Sequence, residues 1–195
     1  MLRAALDLIT EAGIDRLRLE AIARRAGMSS GQVMYYFATK EQILLETLAW
    51  QEDRDGRNRR AVLPAAGGAW RQLERYVDLY FPSGPADPAW ILWTEAWARA
   101  PHDPQVSDFL DELSRPWGAD LADIILRGQR AGTFAGSVRP EDFTICFSAM
   151  LDGLAILHLH QRPDMPREHL IELAMNTART MLNPDGQAGT YGTPR

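Results

Sequence analysis

Residues 19–37 read LEAIARRAGMSSGQVMYYF. Leu19, Ile22, Ala23 and Ala26 recur at i, i+3, i+4 and i+7, the apolar stripe of a helix, and the stripe stops at Gly27, where a left-handed cap belongs. Ser29 and Gln32 then stand at the S-x-x-Q spacing of a capping box, which starts a second helix whose inward pair is Val33 and Phe37. Two short helices around a tight turn have the arithmetic of a helix-turn-helix. Ala23 is small because the helices cross closely, Gly27 permits the positive φ of the turn, and Ile22 with Val33 pins one helix to the other. The face left over displays Ser30, Gly31, Gln32, Met34, Tyr35 and Tyr36, short hydrogen-bonding groups and hydroxyl-tipped rings that suit a major groove. Periodicity alone fits an αα-corner in any helical protein equally well.

Working outward, Leu2, Ala5, Leu6 and Ile9 predict a first helix to about Ala12, closed by Gly13. Thr39-Lys40-Glu41-Gln42 supplies another capping box, and a fourth helix follows through Ile43, Leu44 and Leu48. The charged run 52–60 and then Pro64 to Gly68 read as a connector. Breaks at Pro82 to Pro85, Pro101, Gly132, Pro140, Pro163 to Pro166 and Pro184 separate segments of period near 3.6. These predict helices near 69–81, 87–99, 104–131, 140–161 and 166–182. No segment alternates with period 2. The chain therefore reads as all-α, with an N-terminal three-helix helix-turn-helix block (1–48), a C-terminal helical block (49–183), and a Gly/Pro-rich tail (184–195).

Composition narrows the class. The 195 residues are 46% apolar and 24% charged, the balance of a globular chain that can bury a core. Cys146 is the one cysteine, so no internal disulfide forms, which fits a reducing compartment. Apolar runs fall short of the roughly 20 residues that span a bilayer, and Met1 leads into no signal-peptide core, so a cytoplasmic protein away from the membrane is expected. Net charge is −5, yet residues 16–40 carry a local +4, a plausible anion-binding face. No P-loop, GxGxxG, HExxH or nucleophile elbow occurs, which weighs against an all-α enzyme. A helical adaptor that binds protein is the other competing class.

The strings Ala4-Ala5-Leu6-Asp7-Leu8-Ile9, Ala12-Gly13, Ile22 to Ser29, Gly31, Tyr36-Phe37 and Lys40 to Leu44 closely resemble the N-terminal signature of the TetR (tetracycline repressor) family. Trp93 to Ala100, Asp103-Pro104 and Asp152-Gly153-Leu154 look like a common regulatory-domain subtype of that family. The resemblance implies that 1–48 is a helix-turn-helix DNA-binding domain and 49–183 a helical ligand-binding and dimerisation domain of a ligand-responsive transcription regulator, a repressor that binds a palindromic double-stranded operator as a homodimer and is released by a small-molecule effector, without a cofactor or metal. It implies DNA contacts from Arg18, Ser29, Ser30, Gly31, Gln32, Met34, Tyr35, Tyr36 and Lys40, with Lys40 and the fourth helix's amides meeting a phosphate. Arg18 stands where the family usually has a Ser or Thr cap, so that cap is expected to be missing. Met34 replaces a usual tyrosine, which changes the operator read. With helix 1 starting at once, no basic arm is expected in the minor groove.

Trp90, Trp93 and Trp97 fall at i, i+3, i+7, and with Trp117 and Phe147 they are expected to wall an effector pocket, the alternative for each being plain core. Glu95 or Asp152 beside such walls would favour a cation. Leu151, Leu154, Ala174 and Ala178 on the last two helices are expected to pair with a second copy as a four-helix interface. His158 and His160 point about 200° apart on a helix and cannot chelate one ion. Cys146, among Phe143, Phe147 and Met150, is expected to be a small buried hydrophobe.

Overall fold

The run Glu52-Asp53-Arg54-Asp55-Gly56-Arg57-Asn58-Arg59-Arg60, expected to be a connector, is helical in the computed structural model, which describes residues 1–161 and 164–183. Its charges satisfy one another along the helix and across it. Arg57 pairs with Asp53, and Gln51 Nε2 donates to Asp55 at 3.0 Å. Two of the charges are buried: Glu52 accepts a hydrogen bond from the Trp93 indole at 2.7 Å, and Arg59 pairs through Nε with Asp120 at 2.5 Å. A polar run becomes a continuous helix when i, i+4 pairs and tertiary partners replace the apolar stripe.

The helices among the described residues are α1 (Leu2–Ala12), α2 (Leu19–Ala26), α3 (Ser30–Tyr36), α4 (Lys40–Val62), α5 (Ala69–Tyr80), α6 (Pro88–Trp97), α7 (Pro104–Arg130), α8 (Pro140–Leu159) and α9 (Arg167–Leu182), with three single 3₁₀ turns and no strand. The five later helices expected from Pro and Gly punctuation all form, within two residues at each end. The Gly/Pro-rich tail lies outside the described residues.

The chain divides into two compact units. The first takes Met1–Asn58 together with Ser83–Arg115, and the second takes Arg59–Pro82 with the chain from Pro116 on. In the first, α1 to α3 and the start of α4 close around Ile9, Ile22, Val33, Phe37 and Leu44, and α6 adds Leu92, Trp93 and Ala96 to the same core. The second unit is built on α5, the later part of α7, α8 and α9, around Tyr76, Ile124, Phe143, Phe147, Leu151 and Ala174. α8 alone among the described helices is long and apolar enough by composition to cross a bilayer. Its stripe Phe143, Phe147, Leu151 and Ala155 is instead packed into this core, and Asp152 lies near its middle.

Candidate functional site

Gly27 closes α2 in the left-handed region, φ 66° and ψ 32°, which turns the chain into α3 within three residues. Ser29 then caps α3 reciprocally. Its Oγ accepts from the Gln32 N–H at 3.2 Å, and Gln32 Oε1 accepts from the Ser29 N–H at 2.8 Å. Val33 and Phe37 anchor the helix in the core, so the opposite face is outward. That face carries Met34, Tyr35 and Tyr36 at 58%, 85% and 57% exposure, the two rings edge to face at 5.4 Å. Tyr36 therefore points away from the core, although Phe37 beside it is buried. Three neighbouring large side chains thus stand in water on a helix of seven residues. Gly31 and Ser30 keep the start of the helix low.

Arg18 occupies the cap position of α2 in extended conformation and gives no side-chain cap, as expected from its chemistry. Its side chain is exposed, with Arg16 and Arg24. Arg25 is held by Glu11 through two hydrogen bonds of 2.6 and 2.9 Å, which raise the guanidinium's pKa and lower the carboxylate's. Lys40, at the first turn of α4, donates to the Asp15 carbonyl at 2.8 Å and keeps two further N–H donors in an exposed position. The turn bearing Asp15 is fixed from α6: Glu95 Oε1 accepts from the Ile14 N–H at 3.2 Å, and Arg99 reaches both Glu95 and Asp15. Gly13 makes room for that carboxylate, since its φ is 78° and an added Cβ would lie 3.1 Å from Glu95 Oε1.

The five residues expected to wall a pocket fall in both units. In the first, Trp90, Trp93 and Trp97 form a ladder, with Trp97 5.9 Å from Trp90 and 5.5 Å from Trp93. Trp90 and Trp93 are buried in it and Trp93 is tied to Glu52, so this ladder behaves as core. In the second unit Phe147 stacks on Phe143 at 4.9 Å and is also core. Trp117 is different. Tyr76 and Tyr80 stand edge-on to it at 5.6 and 5.2 Å, and the Arg59 guanidinium lies 3.9 Å above its ring. The Tyr80 hydroxyl donates to Asp152 at 2.6 Å. Burial pushes the Asp152 carboxyl above its usual range against the opposing pull of Tyr80, and burial likewise raises the Tyr76 phenol. An aromatic wall with a desolvated carboxyl is a cation-attracting environment. Sequence reading missed Arg59, which sat in a supposed connector. It also missed Thr144 and Ser148, which stand four residues apart on α8 in line with Asp152.

Leu151, Ala174 and Ala178 are fully buried within their own chain, and Leu154 is half-buried against the same core, so the first three offer no surface to a partner. The exposed face of α8 is turned by about one residue and carries Ile145, Cys146, Ala149 and Gly153; α9 exposes Leu173 and Met181. Cys146 is thus exposed, not the buried hydrophobe expected, because the inward stripe runs through Phe143 and Phe147 and a helix turns about 100° per residue.

With this geometry in view, two family profiles match the chain: that of bacterial regulatory proteins of the tetR family over residues 1–47, and that of BetI-type transcriptional repressor C-terminal regions over 69–183. The second alone spans more than half of the sequence. The chain belongs to the TetR family. Its C-terminal part, residues 69–183, is of the BetI type. Among curated TetR-family relatives, the HTH-type transcriptional regulator BetI of Escherichia coli is 33% identical over 110 residues, covering 54% of this chain and 56% of that one. The alignment thus spans little more than half of that relative's length. BetI of Rhizobium meliloti is 28% identical over 192 residues, 98% of this chain and 92% of its own. A transcriptional regulator from Saccharomonospora viridis, solved in complex with choline, superposes with a TM-score of 0.84 at 26% identity, covering 93% of this chain and 94% of that one.

Proposed function

We propose that this TetR-family chain is a cytoplasmic, ligand-responsive repressor that reads a palindromic operator as a homodimer through α3 and is released by a small organic cation. The observation that carries the DNA-reading assignment is the outward trio Met34, Tyr35 and Tyr36 on a capped helix whose other face is locked in the core. Gln32, Ser30 and Gly31 lead into the groove, while Arg18, Lys40 and the α4 amides meet phosphates. Two copies pair through the exposed faces of α8 and α9, where Ile145 is 70% exposed and Leu173 and Met181 are 38% each. Such symmetry sets two reading helices about 34–36 Å apart, one turn of DNA.

For the effector, Trp117, Tyr76, Tyr80 and Asp152 offer ring faces and one negative charge to a quaternary ammonium group. The choline complex of the Saccharomonospora viridis regulator supports the same ligand class. The test of the DNA reading is a salt titration of binding to the chain's own upstream DNA. Affinity falls steeply with salt, and Lys40→Ala lowers both the affinity and the magnitude of the log–log slope, by about 0.9 for each phosphate that is no longer neutralised. An unchanged slope in that variant removes Lys40 from the interface.

A further inference from the structure

Arg59 is 2% exposed, and a guanidinium is never neutral in a protein. Only part of its fork is answered. Nε donates to Asp120 and the plane lies on the Trp117 ring, but Nη1 is enclosed and has no hydrogen-bond partner. Native interiors rarely leave a charged donor unmatched, so Arg59 Nη1 calls for an acceptor. A second orphan stands on α8, against the residue that follows Trp117. Thr144 Oγ1 is buried and unpartnered, while its methyl group faces Gly118, the residue after Trp117, where an added Cβ would lie 3.6 Å away.

Thr144, Ser148 and Asp152 are four residues apart, so they share one face of α8. Ser148 hydrogen-bonds Tyr76, and Tyr76 is buried in the combined field of Arg59, Asp120 and Asp152. The cluster therefore has two ends of opposite character: unanswered donors at Arg59 and Thr144, and at Asp152 a carboxyl flanked by tyrosine rings. A simple anion is repelled by Asp120 and Asp152. A simple cation leaves Arg59 Nη1 unanswered.

We infer that Arg59 is an effector-binding residue, and that the effector is a zwitterion whose carboxylate oxygens accept from Arg59 Nη1 and Thr144 Oγ1 while its quaternary ammonium end rests against Tyr80 and Asp152. This rests on the cation reading given above and adds the opposite end of the molecule.

The test is calorimetric titration of the full chain with three probes that share a methylated ammonium head: N,N,N-trimethylglycine, choline and tetramethylammonium. Trimethylglycine binds at least tenfold tighter than tetramethylammonium, with choline between them. Arg59→Gln abolishes that advantage and leaves tetramethylammonium affinity within twofold. Thr144→Val, which keeps the shape and removes the hydroxyl, weakens trimethylglycine several-fold and tetramethylammonium not at all, so the inference stays testable if loss of the Asp120 partner unfolds the arginine variant. Equal affinity for all three probes, or choline binding tightest, overturns the carboxylate assignment and leaves the cation reading standing. If none of the three binds, both fall.

Discussion

The reciprocal cap of α3 separates two roles that Ser29 and Gln32 would otherwise share. Ser29→Ala removes the Oγ acceptor 3.2 Å from the Gln32 N–H, and loss of such a cap costs about 1 kcal/mol. In a chain of this length that corresponds to a fall in Tm of about 2–4 °C. Gln32→Ala removes the 2.8 Å return bond to the Ser29 N–H, but that N–H lies in water, so its stability cost sits nearer about 0.5 kcal/mol. The two variants should reverse order in DNA selection. Because Oε1 is held by the cap, Gln32 is left with its Nε2 donors, which read an acceptor edge such as guanine O6/N7 or thymine O4 in preference to the bidentate pairing with adenine. Gln32→Ala therefore relaxes one base position in each half-site, by about 1–3 kcal/mol, whereas Ser29→Ala keeps the native motif. Thermal melts and selection from random DNA measure both. If the position lost in Gln32→Ala is an adenine, the cap does not hold in the complex and the reasoning fails. The same follows if Ser29→Ala leaves Tm untouched.

Trp93→Ala should cost about 3–5 kcal/mol in urea denaturation, since the indole is core and bonded to buried Glu52. A loss below about 1 kcal/mol would return Trp93 to a pocket wall. Asp152→Asn should stabilise the chain near neutrality. The native carboxyl titrates above its unfolded value of 3.8, so the folded chain binds more protons in that window and loses stability as pH rises through it. The variant's advantage in Tm should therefore vanish in acid; an advantage independent of pH would show that charge is not its source. Gly128→Ala should destabilise by about 1–3 kcal/mol, because an added Cβ would lie 2.8 Å from Phe134 Cγ and closer still to the ring edge. A melt unchanged from native would mean that Phe134 moves freely aside.

Much of the fold is legible in the sequence because helices in the chain are punctuated by Pro and Gly and carry clear stripes. Ser29 with Gln32, Val33 with Phe37, and Gly27 each announce their structural task. The charged run of α4 does not, since Arg59 and Glu52 look solvated until Asp120 and Trp93, 61 and 41 residues away, are brought to them. Ala174 and Ala178 are ambiguous for a different reason. Small residues four apart suit a close approach to a second copy and to a helix of the same chain alike, and here α9 spends them inside its own core. On α8, reading Cys146 with Phe147 misplaces it by one residue, enough to turn it from core to solvent. Aromatic residues alone could not single out the cluster around Trp117, because tryptophans serve core and pocket equally. What distinguishes Trp117 is the unanswered arginine above it.

The turn after α1 takes its anchoring carboxylate from Glu95, 81 residues downstream, and its second brace from Arg99. The reading head is consequently not a module that can be cut at residue 48 and spliced onto another sensor. A graft of that length would leave the Ile14 amide and Asp15 without these partners, and would strip Leu92, Trp93 and Ala96 from the core of α1 to α4. Hybrid regulators built on this scaffold need three crossovers, after residues 58, 82 and 115, so that 1–58 travels together with 83–115. Substitutions confined to the second unit, residues 59–82 and from 116 on, leave all of these contacts in place.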